Sequence, residues 1–284
     1  MAGGDSKTEA SPQISRGARL RLFFGAWQPL TGGGVALFRS ASPARLLAFQ
    51  AVVAVLSALI LAGALRRAWL PVITRALTAL PEAAAVTNGR LRWPEPEPIR
   101  LAENAFLDLV IALTNRAELG QTADLQVAFQ ASNLVFSGVA GQWTVPYPPD
   151  WTVPLGRIEA TARWGAWRLA LAAGLGLAVT LGLLGSWWAL ATLYTLPAWL
   201  GAWLAGRQPG GTGTWQMAAA ALLPGALFLD WGLVAYGLGA IRLPGLASFF
   251  TLHWLVGWLW LGWGVACCPR AGARPPKNPF ADDD

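Results

Sequence analysis

Charge is what this chain has least of. Asp, Glu, Lys and Arg make up 13% of 284 residues, against about 25% in an ordinary soluble domain. A water-soluble monomer this size could not cover its surface with so little charge, so a cytosolic domain is excluded. There are two Cys and one His. Two Cys exclude a disulfide-stapled secreted module and cannot hold zinc by themselves. A single His excludes a two-His metal centre or a bis-His haem, and leaves His253 as the lone base for a Ser-His-Asp triad. Its place in an apolar run suits it poorly to that role. The chain contains no G-x-x-x-x-G-K, H-E-x-x-H, G-x-S-x-G or C-x-x-C pattern. Glu95 and Glu97 stand two apart in a proline-rich stretch, which reads as solvation and not as a catalytic pair. The net charge of +6 does not point to nucleic acid, because the basic groups border apolar runs and form no patch.

What the chain does have is 55% hydrophobic residues, 17 Trp and 32 Gly. About 20 apolar residues cross the ~30 Å of bilayer hydrocarbon at 1.5 Å each. One uncharged interval lies between Arg45 and Arg66, with Gln50 and Ser57 its only polar side chains. A second runs from Arg168 to Arg207. A third, from Arg207 to Arg242, is interrupted only by Asp230, and the last runs from Arg242 to Arg270. The second is too long for one straight crossing and too short for two. It reads as one span to about Leu190, then a kink at Pro197 and an interfacial extension over Tyr194 to Leu204, with Trp199 and Trp203 at the lipid boundary. A five-span arrangement is the alternative.

The resulting fold class is an α-helical integral membrane protein of about four transmembrane helices with a small β-rich extracytoplasmic domain. Its segments are a basic, interfacial N-terminal part (1–45), span one (46–67), the β-rich domain (68–163) and span two with its extension (164–206). A cytoplasmic loop (207–214), span three (215–240), span four (243–268) and a cytoplasmic tail (269–284) follow. Basic residues flank both ends of the chain, which places both termini in the cytoplasm of a bacterial inner membrane. The first apolar run begins too late for a cleaved signal peptide and reads as a signal anchor. Residues 20–38 are basic and aromatic, as in a segment lying on an anionic leaflet, and the Thr31–Gly34 run reads as a flexible divider.

In the insert, Asn88-Gly89 between short apolar runs predicts a tight hairpin. Trp93 to Pro98 reads as a stiff extended connector. Leu125, Val127 and Phe129 alternate with more polar neighbours, as in a half-buried strand. Leu134-Val135-Phe136 and Trp143-Thr144-Val145 are further strand candidates.

Short motifs in this order carry a resemblance: Phe38-Arg39-Ser40-Ala41-Ser42-Pro43, Leu80-Pro81, Thr87-Asn88-Gly89-Arg90-Leu91, Trp215-Gln216 and Ala221-Leu222-Leu223-Pro224. The chain resembles an uncharacterised family of bacterial inner-membrane proteins, some encoded beside maltodextrin-utilisation genes. It departs from them in its Trp enrichment and its Gly/Pro-rich 207–214 loop. The resemblance implies a polytopic membrane protein with one extracytoplasmic insert. It implies no activity and no catalytic residues.

The candidate site residues follow from rarity. Asp230 is the only acid inside an apolar run and His253 the only His. A tight turn at Ile241-Arg242 would set them at similar depth, where a mutual hydrogen bond would lock a helical hairpin. A proton relay, a substrate contact or a cofactor ligand is the functional alternative. One imidazole suffices as the axial ligand of a chlorophyll-type pigment, and a quinone is a further ligand class. Trp254 and Trp258, at i,i+4, form a candidate aromatic surface for a partner helix or flat ligand. Cys267-Cys268 reads as two small residues at a helix end. Gly174, Gly176, Gly182 and Gly185 permit close helix approach. Together these features point to a non-enzymatic scaffold or accessory subunit that contacts the lipid bilayer and binds other membrane-protein subunits. A transporter-type subunit using Asp230 and His253, and a pigment- or quinone-binding subunit of an electron-transfer complex, are the alternatives.

Overall fold

The computed structural model describes residues 29–96, 98–113, 120–207 and 210–270. Within them a short helix α1 (Gly32–Leu37) and a 3-10 turn lead into α2 (Pro43–Ala68) and α3 (Leu70–Thr78). Eight strands follow: β1 (Ala85–Thr87), β2 (Arg90–Arg92), β3 (Ile99–Glu103), β4 (Leu107–Ile111), β5 (Leu125–Phe129), β6 (Asn133–Gly138), β7 (Gly141–Pro146) and β8 (Val153–Pro154). The chain then returns to helix in α4 (Arg157–Leu204), α5 (Gly211–Gly237) and α6 (Leu243–Ala266). Four of these helices, α2, α4, α5 and α6, are long and apolar enough to cross a membrane. Among the described residues that is the number expected, and the interval from Arg168 to Leu204 lies in one continuous helix.

The strands form two sheets, ordered β2-β1-β8 and β3-β4-β5-β6-β7. Asn88 and Gly89 both take positive φ, 51° and 67°, in the turn joining β1 to β2, as a two-residue hairpin of this hand requires. The three expected strands are present as β5, β6 and β7. β3 and β4 were not legible in the sequence. β4 pairs with β5 in parallel, so a crossover and not a hairpin joins them. Asp108 on β4 is fully buried. It accepts a hydrogen bond from Gln126 Nε2 (2.9 Å), and its Oδ1 lies 3.0 Å from Arg100 Nε, close in distance though off the line of a hydrogen bond. A buried carboxylate is tolerated only with partners of this kind.

The domain is keyed into one end of the helical body by the turn between β3 and β4. Asn104 Nδ2 donates to the carbonyl of Ala68 at the end of α2 (2.6 Å). Arg242, in the α5–α6 turn, donates to the carbonyl of Ala105 (2.9 Å), and Phe106 packs edge-on against Tyr236 with ring centroids 4.8 Å apart. At the opposite end, Trp260 Nε1 donates to the carbonyl of Leu30, Gln216 Nε2 to that of Ala41, and Arg207 to that of Cys268. Residues 30, 41, 207 and 268 therefore gather at the end away from the β domain.

Two expectations are corrected. The first concerns α4, which runs without a break through Pro197 and begins already at Arg157. At 48 residues it measures about 72 Å, and the extension over 194–204 belongs to this one continuous helix. Proline removes one backbone donor, but Pro197 is exposed while Tyr194, Ala198 and Ala202 on the adjoining face are buried against the bundle. Tertiary packing keeps the chain helical past the lost bond. The second is the glycine run after Thr31. It is the first turn of α1 and not a flexible divider. Thr31 caps it by accepting from Gly34 N (3.1 Å), and a Cβ on Gly32 would lie 2.3 Å from the Trp263 ring. Glycine is there because the backbone presses against that indole. Of the basic, aromatic segment 20–38, residues 20–28 lie outside the described residues.

At the centre of the body is α5. Met217 to Ala221 have essentially no exposed surface, so over these residues the helix is enclosed on every side. Its glycines set the spacing. A Cβ on Gly225 would lie 2.6 Å from the His253 carbonyl oxygen, one on Gly232 2.6 Å from the Phe249 ring, and one on Gly237 3.0 Å from Ala64. The first is a backbone contact that cannot yield. Gly225→Ala should therefore cost about 1–3 kcal/mol, read as a lower melting temperature in detergent. Gly174→Ala, where a Cβ meets nothing within 4 Å, should be neutral or stabilising through its better helix propensity. Equal melting of the two variants would show that α5 and α6 are not in this close contact.

Candidate functional site

Two polar pairs, the first of them buried, join helices of the body. Asp230 on α5 and Ser57 on α2 are 5% and 6% exposed. Ser57 Oγ donates to Asp230 Oδ2 at 2.9 Å. Nearer the other end of α2, Gln50 is fully buried and its Oε1 accepts from Trp188 Nε1 of α4 at 2.9 Å. The amide nitrogen of Gln50 is buried with no partner. Each pair ties α2 to a different neighbour.

The mutual Asp230–His253 hydrogen bond does not form, and the reason is rotational. Gly225 and Gly232 are seven residues apart and both abut α6. Asp230 and Gly237 are also seven apart, and both abut α2. Gly225 and Asp230 differ by five residues, about 140° around the helix, so α5 presents the carboxyl to α2 and only backbone to His253. The depth expected for the two residues is not in conflict with this; the facing is what differs.

His253 is half-buried. Its ring lies between Phe250 and Trp254, with centroids 5.0 and 5.1 Å away, and its Nδ1 bonds the Phe250 carbonyl. A carbonyl partner requires Nδ1 to donate, which puts the lone pair on Nε2. That is the tautomer an axial ligand would need. Among the described residues, no group of three His, Cys, Asp or Glu side chains gathers to hold a metal.

The two tryptophans of the candidate aromatic surface are placed differently from one another. Trp258 packs on Tyr194 of α4 with ring centroids 4.2 Å apart, so its face is engaged within the chain. Trp254 flanks His253. Both keep more than a third of their surface exposed. Cys268 is buried with its Sγ 3.7 Å from Met217 Sδ, and Cys267 is exposed, as two helix-end residues should be.

Ser57 was visible in the sequence as a polar interruption, but nothing attached it to Asp230. The signal that could have done so is a matched repeat: Ser57 and Ala64 on α2, Asp230 and Gly237 on α5, small or polar residues seven apart on both helices. A second feature, of which only Gly174 and Gly182 stood out in the sequence, is a ladder along α4. Ala170, Gly174, Ala178, Gly182 and Ser186 follow one another at i,i+4, and all are exposed.

No family model, curated protein or solved structure matches the chain.

Chemically, the Asp230–Ser57 pair is one carboxyl with one hydroxyl donor, and its evident work is to fix the rotation of α5 against α2. A double-mutant cycle reads this directly. Ser57→Ala with Asp230→Ala should show a coupling of about 0.6 kcal/mol and at most about 1.7 kcal/mol, the average and the upper end for hydrogen bonds between helices in lipid. Asp230→Ala with His253→Gln should be additive within about 0.5 kcal/mol, because the two residues share no partner. Coupling in the second cycle and none in the first would restore the pairing with His253.

Proposed function

We propose that this protein is a non-enzymatic scaffold or accessory subunit of the bacterial inner membrane that binds other membrane proteins. It passes the membrane four times, with the β domain on the extracytoplasmic side and both termini in the cytoplasm. The reading rests on one observation above all: α4 is largely unpartnered among the described residues. Of its 48 residues only Trp187, Ala191, Tyr194, Ala198 and Ala202 are buried. The segment from Leu169 to Gly185 is apolar all round and mostly exposed. A helix apolar on every face belongs inside protein or lipid. The ladder of Ala170, Gly174, Ala178, Gly182 and Ser186 gives it a flat strip of the kind that lets two helix backbones approach closely in a bilayer. Bulkier residues surround the strip, with Leu169, Leu177 and Leu181 among the most exposed.

Orientation is supported by the arginines at the end away from the β domain, where Arg39, Arg45, Arg207 and Arg270 border the apolar helices. At the other end Arg66 and Arg67 begin a long segment, where the charge rule has less force.

Two measurements test the proposal. Purified in mild detergent, the wild-type chain should elute in an assembly larger than its own 30.1 kDa. Gly174→Leu with Gly182→Leu should release it, since a Cβ at either position meets nothing within the chain and its own fold should survive. A wild-type chain that runs alone as a monomer would overturn the scaffold reading. For orientation, a membrane-impermeant maleimide should label Thr144→Cys, on the exposed face of β7, in intact spheroplasts. It should reach the exposed Cys267 only after permeabilisation. The reverse pattern would invert the topology.

A further inference from the structure

An open groove of about 260 Å³ lies between α2 and α5 near the end that carries the β domain. Ile60, Gly63 and Ala64 line one wall; Leu233, Val234 and Gly237 line the other; Arg67 completes it. The close contact of Gly237 with Ala64 makes the floor. Gly63 makes the opening, because a Cβ there would meet nothing within 4 Å. The surface beside the groove is apolar and open: Leu59, Trp231 and Leu238 are 65%, 73% and 60% exposed.

Ile60, Gly63 and Arg67 share one face of α2 at i, i+3 and i+7. Arg67 is the penultimate residue of α2, about 6 Å along the axis from Gly63, where the helix leaves its apolar stretch. Its side chain is exposed. The ion pairs among the described residues belong to Arg100 and Arg157, and no carboxylate among those residues pairs with Arg67. An apolar slot ending in an unpaired guanidinium at headgroup level matches one kind of molecule. An acyl chain fills the slot, and a phosphate takes the planar fork of donors that Arg presents.

We propose that this groove binds an anionic glycerophospholipid from the leaflet on the β-domain side, with an acyl chain between Gly63 and Val234 and its phosphate on Arg67. The site rests on the membrane reading above but not on the partner-binding role of α4. A juxtamembrane Arg contributes on the order of a fivefold preference for an anionic lipid.

The test is native mass spectrometry of the full-length protein in detergent, titrated with phosphatidylglycerol and with phosphatidylcholine of the same acyl chains. The wild type should favour phosphatidylglycerol about fivefold. Arg67→Gln should bind both lipids about equally. Gly63→Leu, which fills the slot without a clash, should lose both while its melting temperature holds. Equal binding by the wild type, or a preference that survives Arg67→Gln, overturns the lipid site and leaves the scaffold reading standing. Recovery of the chain in the soluble fraction overturns the membrane reading and the lipid site together.

Discussion

The rest of the structure depends on how closely three helices can approach α5. That approach is set by what α5 lacks. Gly225 brings the backbone of α6 into contact and Gly232 seats the Phe249 ring, Gly237 brings in α2, and the alanines from Ala218 to Ala221 keep the remaining faces slim. In the membrane setting proposed for this chain, lipid gives no hydrophobic drive between helices, so association relies on packing and on interhelical hydrogen bonds. A helix of small residues gains the most from packing because more neighbouring atoms come within range. Once α5 is enclosed, the positions of α2 and α6 follow, and the turn between β3 and β4 finds its seat on the ends of α2 and the α5–α6 turn.

The same enclosure gives the polar pairs their meaning. A carboxyl at 5% exposure needs a donor, and the rotation that sets Gly225 against α6 leaves Asp230 facing Ser57 of α2. The hydrogen bond and the glycine contacts specify one rotation of α5 together. Gln50 and Trp188 perform the corresponding task between α2 and α4. Both pairs join helices far apart in sequence, so they act on tertiary arrangement and contribute nothing to any single helix. By contrast α4 buries side chains only between Trp187 and Ala202, which is why the partner-binding reading rests on it.

Much of the fold was legible from local chemistry. The uncharged intervals are long because hydrocarbon excludes charge, and all four became helices. Asn88-Gly89 turned the chain where positive φ was needed, and the alternation over Leu125–Phe129 marked a strand with one buried side. The failures share a cause. Pro197 signals a break only if nothing else supports the helix, and Tyr194, Ala198 and Ala202 do support it. The glycines after Thr31 signal flexibility only if nothing presses on them, and Trp263 does. In both places a local propensity was overridden by a contact from a distant part of the chain.

The candidate site divides along the same line. Composition by itself determined that Asp230 and His253 are the exceptional residues of the apolar stretches, and spacing put them at comparable depth in adjacent helices. Depth follows from counting residues, because each adds the same rise. Which side chain meets which depends on the rotation of each helix about its axis, and that is decided by packing between elements nearly 175 residues apart, as Ser57 and Asp230 are. The sequence therefore determined that four stretches are long and apolar enough to cross a membrane. Only the tertiary structure decided that Asp230 faces Ser57, that His253 faces its own helix and two aromatic rings, and that α4 is left with an apolar surface to offer.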